Sequence, residues 1–143
     1  MRIIFIDADG CLHPSPPHSG LLRLCWLPLL ADIVAPYADI RVVMHSSWRH
    51  DMPSKHLADL LAPLGDRYLG VTSGDSRYPS ILSWVGQRGV TDYRIIDDMP
   101  GEFPSPAPGE LIVCNGRLGL TDPVAREALG RWLQGEKVTT PHG

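Results

Sequence analysis

Two tight pairs of acids mark this sequence, Asp7-Ala8-Asp9-Gly10 near its start and Asp97-Asp98 far downstream, and each follows a short apolar run. A third apolar run ends in His45-Ser46-Ser47-Trp48-Arg49. Carboxylates gathered at one place repel one another unless a cation sits among them. An all-oxygen donor set such as Asp7, Asp9, Asp97 and Asp98 favours Mg²⁺, which takes carboxylates, waters and phosphate oxygens. A carboxylate held there can attack a phosphoryl group and carry it as an acyl phosphate. Asp7, directly behind its apolar run, is the expected nucleophile. Asp9 lies on the same side if the chain stays extended, where it can protonate a leaving oxygen and later activate water. Gly10 has no side chain, so the backbone can turn away sharply beside the bound group. Ser46 can hold a phosphate oxygen by its hydroxyl and N–H, with Ser47 and Arg49 as further substrate contacts. The spread charge of a phosphoryl transition state needs a fixed cation. Arg77 is the first candidate, with Lys55 and Arg49 behind it.

Those residues need a frame that brings distant segments to one edge. Met1–Ile6, Ile40–Met44, Tyr68–Val71, Tyr93–Ile96 and Leu111–Cys114 are short, apolar and rich in β-branched or aromatic residues, and read as buried strands. Between them fall helical patterns. Leu21–Ala35 is apolar on much of its surface, with a kink expected at Pro28. A helix capped by Asp51 or Ser54 runs to Leu64, with Leu57, Leu60, Leu61 and Leu64 on one stripe. Pro79–Arg88 turns Ile81, Leu82 and Val85 inward and stops at Gly89. A last helix starts at Thr121 or Asp122, with Pro123 in its first turn and Ala128, Leu129, Trp132 and Leu133 as its apolar side. The segments around Pro14–Pro17 and from Met99 to Gly109 are loops. Alternating apolar strands and helices predict an α/β fold, a doubly wound three-layer α/β/α sandwich with a mostly parallel sheet. Ligands in such sheets bind beyond the carboxyl ends of the strands, which is where the acids and Ser46 fall.

The 143 residues suit a single domain over 1–135, with 136–143 as a tail. A net charge of −3 gives no general attraction to nucleic acid, although a local basic patch is compatible with it. The longest apolar stretch, Leu21–Val34, is interrupted by Arg23, Pro28 and Asp32, so a membrane span is not expected. The N-terminus lacks the features of a signal peptide. Cys11, Cys25 and Cys114 have neither disulfide-framework nor zinc-site spacing, and a reducing cytoplasmic setting is expected. His13, His45, His50 and His56 share no ligand spacing and are expected to be packed or surface groups, though His13 and His45 flank the site. Trp48 is expected as a packing anchor and Trp26, Trp84 and Trp132 as core.

The run ending hydrophobic-Asp7-x-Asp9-Gly10-x-Leu12 resembles the first motif of the haloacid dehalogenase (HAD) superfamily. Val42-Val43-Met44-His45-Ser46 resembles its second, Ile95-Ile96-Asp97-Asp98 its fourth, and Arg77 stands where its third places a base, though Lys is commoner there. Ser46-Ser47-Trp48-Arg49 and Gly119-Leu120-Thr121 resemble a subgroup akin to the HAD domain of Swiss-army-knife RNA repair proteins. The resemblance covers nearly the whole chain. It implies a Mg²⁺-dependent phosphatase acting through an aspartyl-phosphate on Asp7. Asp9 would be acid and base with its carbonyl on the metal, and Asp98, with Asp97 through water, would complete the metal site. The stretches Asp9–Ser46 and Ser46–Arg77 leave no room for an inserted cap domain. By family analogy, an open site suits a phosphorylated RNA or DNA end or another macromolecular substrate. Other readings are a small-molecule or nucleotide phosphatase, and a catalytically silent domain of this fold that binds phosphorylated ligands. A signalling receiver module fits poorly, because no single phospho-acceptor follows the third strand.

Overall fold

The computed structural model describes residues 1–15, 24–45, 53–74 and 76–136. Five parallel strands make one sheet: β1 (Arg2–Ile6), β2 (Ile40–Met44), β3 (Tyr68–Val71), β4 (Tyr93–Asp97) and β5 (Leu111–Val113), in the order β3-β2-β1-β4-β5. Among the described residues four α-helices pack with them: α1 (Leu27–Val34), α2 (Ser54–Leu60), α3 (Arg77–Arg88) and, after β5, α4 (Pro123–Leu133).

Alternation along each strand sorts the core into two layers. Ile4 and Ile6 of β1, with Val42, Met44 and Ile96, face Leu27, Leu30 and Val34 of α1, Leu57 of α2 and Leu129 and Trp132 of α4. Ile3, Phe5, Val43 and Ile95 face the opposite way, onto Ile81, Trp84 and Val85 of α3. Burying such side chains contributes about 1.5–3 kcal/mol each, and Phe5 adds edge-to-face contacts with Trp84 and Tyr93 at centroid separations of 5.5 and 5.8 Å. The result is the expected three-layer α/β/α sandwich. Among the described residues every helix packs on the sheet, and none forms an inserted second unit.

The strand order reverses at β1, which lies between β2 and β4. A crevice therefore opens between the carboxyl ends of β1 and β4. The register decides what stands there. Ile6 aligns with Met44 and with Ile96. One residue on, Asp7 N–H donates to Ile96 O at 3.3 Å and His45 N–H to Ile6 O at 3.2 Å. Asp7, His45 and Asp97 therefore share one edge of the sheet.

Several elements differ from the sequence expectation. Pro28 opens α1 instead of kinking a longer helix, because in a first turn its missing N–H loses no hydrogen bond; residues 21–23 lie outside the described residues. The helix expected to reach Leu64 ends at Leu60 and tightens into a 3₁₀ segment over Ala62–Arg67. Pro63 cannot donate to the carbonyl four residues back, so an α-helix could not continue through it. Asp51, one suggested cap, is outside the described residues, and Pro53 precedes the first helical residue. α3 begins at Arg77, two residues earlier than expected. Asp122 caps α4, accepting from Val124 N–H at 2.9 Å. The proline-rich segment carries one 3₁₀ turn, Pro100–Glu102, and is pinned by buried Phe103 against Tyr78 of α3. Trp84 and Trp132 are buried, and Trp26 is half-buried against the core. No helix among the described residues is long and apolar enough to cross a membrane.

Candidate active site

Three carboxylates converge at the β1–β4 crevice. Asp7, Asp97 and Asp98 each offer an oxygen, and these oxygens lie within 4.8 Å of one another. Asp7 follows β1 and is buried, its Oδ1 accepting from the N–H of Ala8 at 2.8 Å. Asp97, the last residue of β4, is fully buried. Arg77, the first residue of α3, reaches across both: its Nη1 donates to Asp97 Oδ1 and Oδ2 at 3.0 and 2.9 Å, and to Asp7 Oδ2 at 3.4 Å. His45 Nε2 donates to Asp97 Oδ2 at 2.8 Å, and Met99 N–H to Asp97 Oδ1 at 2.8 Å.

The two adjacent acids respond in opposite directions to this environment. Burial pushes the Asp97 carboxyl up, but the His45 hydrogen bond and charge, Arg77 and the Met99 N–H outweigh it and hold the group below its ordinary range. Burial also raises Asp98, and there the charges on Asp7 and Asp97 add to the rise. Burial disfavours the Arg77 guanidinium, yet Asp97 and Asp7 more than offset it and raise the group further. Asp98 is therefore the point where negative charge is least compensated. Three convergent carboxylates with all-oxygen donors and a repelled Asp98 fit a small hard cation such as Mg²⁺.

Local backbone makes space for Asp98. Gly10 holds φ +79, and a Cβ there would fall within 2.9 Å of Asp98 Oδ1 and closer still to Oδ2 and Cγ. Gly116, not singled out from the sequence, approaches from the loop after β5; its Cβ would lie 2.8 Å from Asp98 Oδ2. Only glycine allows the first-motif loop to take that φ and close on the acid.

The carboxylate of Asp9 is not part of the cluster. It is about half exposed, and its Oδ1 accepts from His13 Nε2 at 2.7 Å. Ser46, Ser47 and Arg49 lie outside the described residues. Lys55 is exposed on α2, and Arg77 is the cation that the described residues set against Asp7 and Asp97. His45 and His13, expected as packed or surface groups, are buried, and each also bonds a site acid. The signal for His45 was its position one residue past β2, level with Asp7 in the parallel register. Cys11 and Cys114, unrelated by spacing, meet beneath the first-motif loop as free thiols with Sγ atoms 3.5 Å apart. Their mutual hydrogen bond, then burial, pushes the Cys11 thiol well up.

The family described as the HAD domain in Swiss Army Knife RNA repair proteins matches residues 3–125. The chain belongs to that family. No curated protein and no solved structure matches it. Membership of this HAD family agrees with the parallel sheet, and it points to hydrolase chemistry of the phosphatase type.

Proposed function

We propose that this HAD domain is a Mg²⁺-dependent phosphomonoester hydrolase that works through an aspartyl-phosphate on Asp7. The observation that carries the reading is the convergence of Asp7, Asp97 and Asp98 within 4.8 Å, with Arg77 hydrogen-bonded to two of them. Asp7 and Asp98 would hold the metal directly, together with the backbone carbonyl of Asp9. Asp97, whose oxygens already accept from Arg77, His45 and Met99, would act on the metal through water. A bound Mg²⁺ would offset the charge of the phosphoryl oxygens and of Asp7.

The chain's own groups then divide the work. A carboxylate oxygen of Asp7 attacks phosphorus in line, and the bond from phosphorus to the ester oxygen breaks. Protonated Asp9 gives its proton to that oxygen, so the product leaves as an alcohol. Asp9, now a carboxylate, takes a proton from water as the water attacks phosphorus; the bond to Asp7 breaks and inorganic phosphate is released. Arg77 steadies the charge on the phosphoryl oxygens. Ser46 would hold one of them, with Gly10, Ser47 and Arg49 as further contacts. The family name and the absence of an inserted unit among the described residues support a phosphorylated RNA or DNA end as substrate.

Phosphate release from an aryl phosphate in the presence of Mg²⁺ tests the chemistry. Asp7→Asn abolishes turnover and leaves the circular dichroism spectrum unchanged; full activity in that variant refutes the mechanism. Rates on 3′- and 5′-phosphorylated oligonucleotides, set against nucleotides and sugar phosphates, test the substrate class. Preference for the small molecules refutes the nucleic-acid reading alone.

A further inference from the structure

The geometry points to His13 as the residue that positions Asp9 for proton transfer, an inference that rests on the phosphatase reading above. The first-motif loop closes on itself within a few residues. Leu12 N–H donates to Ala8 O at 2.9 Å, Gly10 N–H donates to His13 O at 2.9 Å, and Asp9 and His13 pair as an isolated parallel bridge. This closure sets the His13 ring beside the Asp9 carboxylate, 2.7 Å from Nε2 to Oδ1. The His13 side chain is 9% exposed and that of Asp9 47%, so a sheltered ring orients a half-exposed acid.

The other ring nitrogen identifies the tautomer. Leu24 N–H donates to His13 Nδ1 at 3.1 Å, so Nδ1 bears a lone pair and the ring hydrogen sits on Nε2, directed at Asp9. Leu24 holds φ +56, the one residue other than glycine with positive φ among the described residues. That conformation is disfavoured for a residue with a Cβ, and here it accompanies the bond that aims the imidazole. Such an arrangement resembles the carboxylate–histidine pairs that orient catalytic groups elsewhere, with the roles exchanged: here the histidine holds the carboxylate.

Two substitutions separate the two ends of the ring. Asn at 13 can accept from Leu24 N–H as Nδ1 does but cannot reach Asp9. Gln can place an N–H near the position of Nε2. The readout is kcat/KM, which covers the steps through loss of the alcohol, for an aryl phosphate with a good leaving group and an alkyl phosphate with a poor one. Acid catalysis matters most for the poor leaving group. His13→Asn therefore lowers kcat/KM about tenfold or more for the alkyl ester and about twofold or less for the aryl ester, with its melting temperature near that of the wild type. His13→Gln recovers most of the alkyl-ester rate. An equal loss on both esters, or failure of Gln to outperform Asn, overturns the positioning role while leaving the phosphatase reading intact. Absence of wild-type turnover on either ester overturns the phosphatase reading, and this inference with it.

Discussion

Gly10→Ala strikes the point where the first-motif loop meets the acid of β4. Two costs follow. The first is conformational: φ +79 is hard for a residue with a Cβ and costs about 1 kcal/mol. The second is steric: the new methyl would lie 2.9 Å from Asp98 Oδ1 and nearer still to Oδ2 and Cγ, where ordinary contact needs about 3.4 Å or more. Either Asp98 swings away or the loop bearing Asp7 and Asp9 lifts, by about 1 Å, and a displacement of that size at a reacting centre costs about a hundredfold in rate. Gly89→Ala isolates the first cost, since Gly89 holds φ +63 at the end of α3 and a Cβ there meets nothing within 4 Å. Thermal unfolding, Mg²⁺ titration by calorimetry and turnover on an aryl phosphate are measured on both variants. Each loses about 1 kcal/mol of stability from the backbone, whereas only Gly10→Ala loses Mg²⁺ affinity and about two orders of magnitude in kcat. Wild-type metal affinity and kcat in Gly10→Ala would show that Asp98 does not work from this position.

Three further outcomes follow from the same geometry. Mg²⁺ at a hundredfold excess over its Kd stabilises the chain by about 2.7 kcal/mol. Asp98→Asn removes most of that rise in melting temperature while making the metal-free protein no less stable, because a repelled charge is lost; a clear fall in metal-free stability would contradict the raised Asp98 carboxyl. His45→Ala leaves Asp97 buried with one donor fewer and costs about 2–4 kcal/mol in urea unfolding; a loss below about 1 kcal/mol would show the pair to be incidental. Arg2 grips Asp39 through two hydrogen bonds of 2.6 and 3.1 Å and holds its carboxyl below the ordinary range. The pair is partly exposed and screened, so Asp39→Asn costs only about 0.5 kcal/mol at neutral pH. A lowered native pKa gives stability that is present above the unfolded-state value near 3.9 and lost as pH falls through the native one. The difference from wild type therefore vanishes in acid and shrinks in high salt.

The strands were legible because each is a short apolar run ended by a polar or turn residue, and a parallel sheet buried on both faces demands that pattern. β2 and β3 begin and end where the runs do, and β4 extends one residue further, to include Asp97. Helix ends were less legible where proline decides them. Pro28 can open or kink a helix, and only packing of Leu27 and Leu30 on the sheet selects the opening. The acids at the ends of β1 and β4 were visible as types and spacing, but their partners were not. That His45 bonds Asp97 depends on β1 lying between β2 and β4, and that His13 bonds Asp9 depends on a tight turn closed by backbone hydrogen bonds. Gly116 gave no signal, because its closeness to Asp98 comes from the fold of the loop after β5.

The adjacent acids at the end of β4 stand in opposite surroundings, one gripped by cationic donors and the other set among like charges. Asp97 accepts from Arg77, His45 and the Met99 N–H, all at 3.0 Å or less, so a metal drawn straight onto it would have to displace donors already in place. Those bonds serve another end: they fix the guanidinium of Arg77 between Asp97 and Asp7, against the long side chain's tendency to extend into solvent. Asp98 stands among like charges that disfavour its ionised form. That repulsion is a strain on the crevice, and a divalent cation held there would turn it into a source of affinity, because it would offset the charge of the neighbouring carboxylates. Preorganisation of Arg77 by Asp97 and poise for metal at Asp98 thus arise from the same two-residue sequence, through which donors each acid can reach.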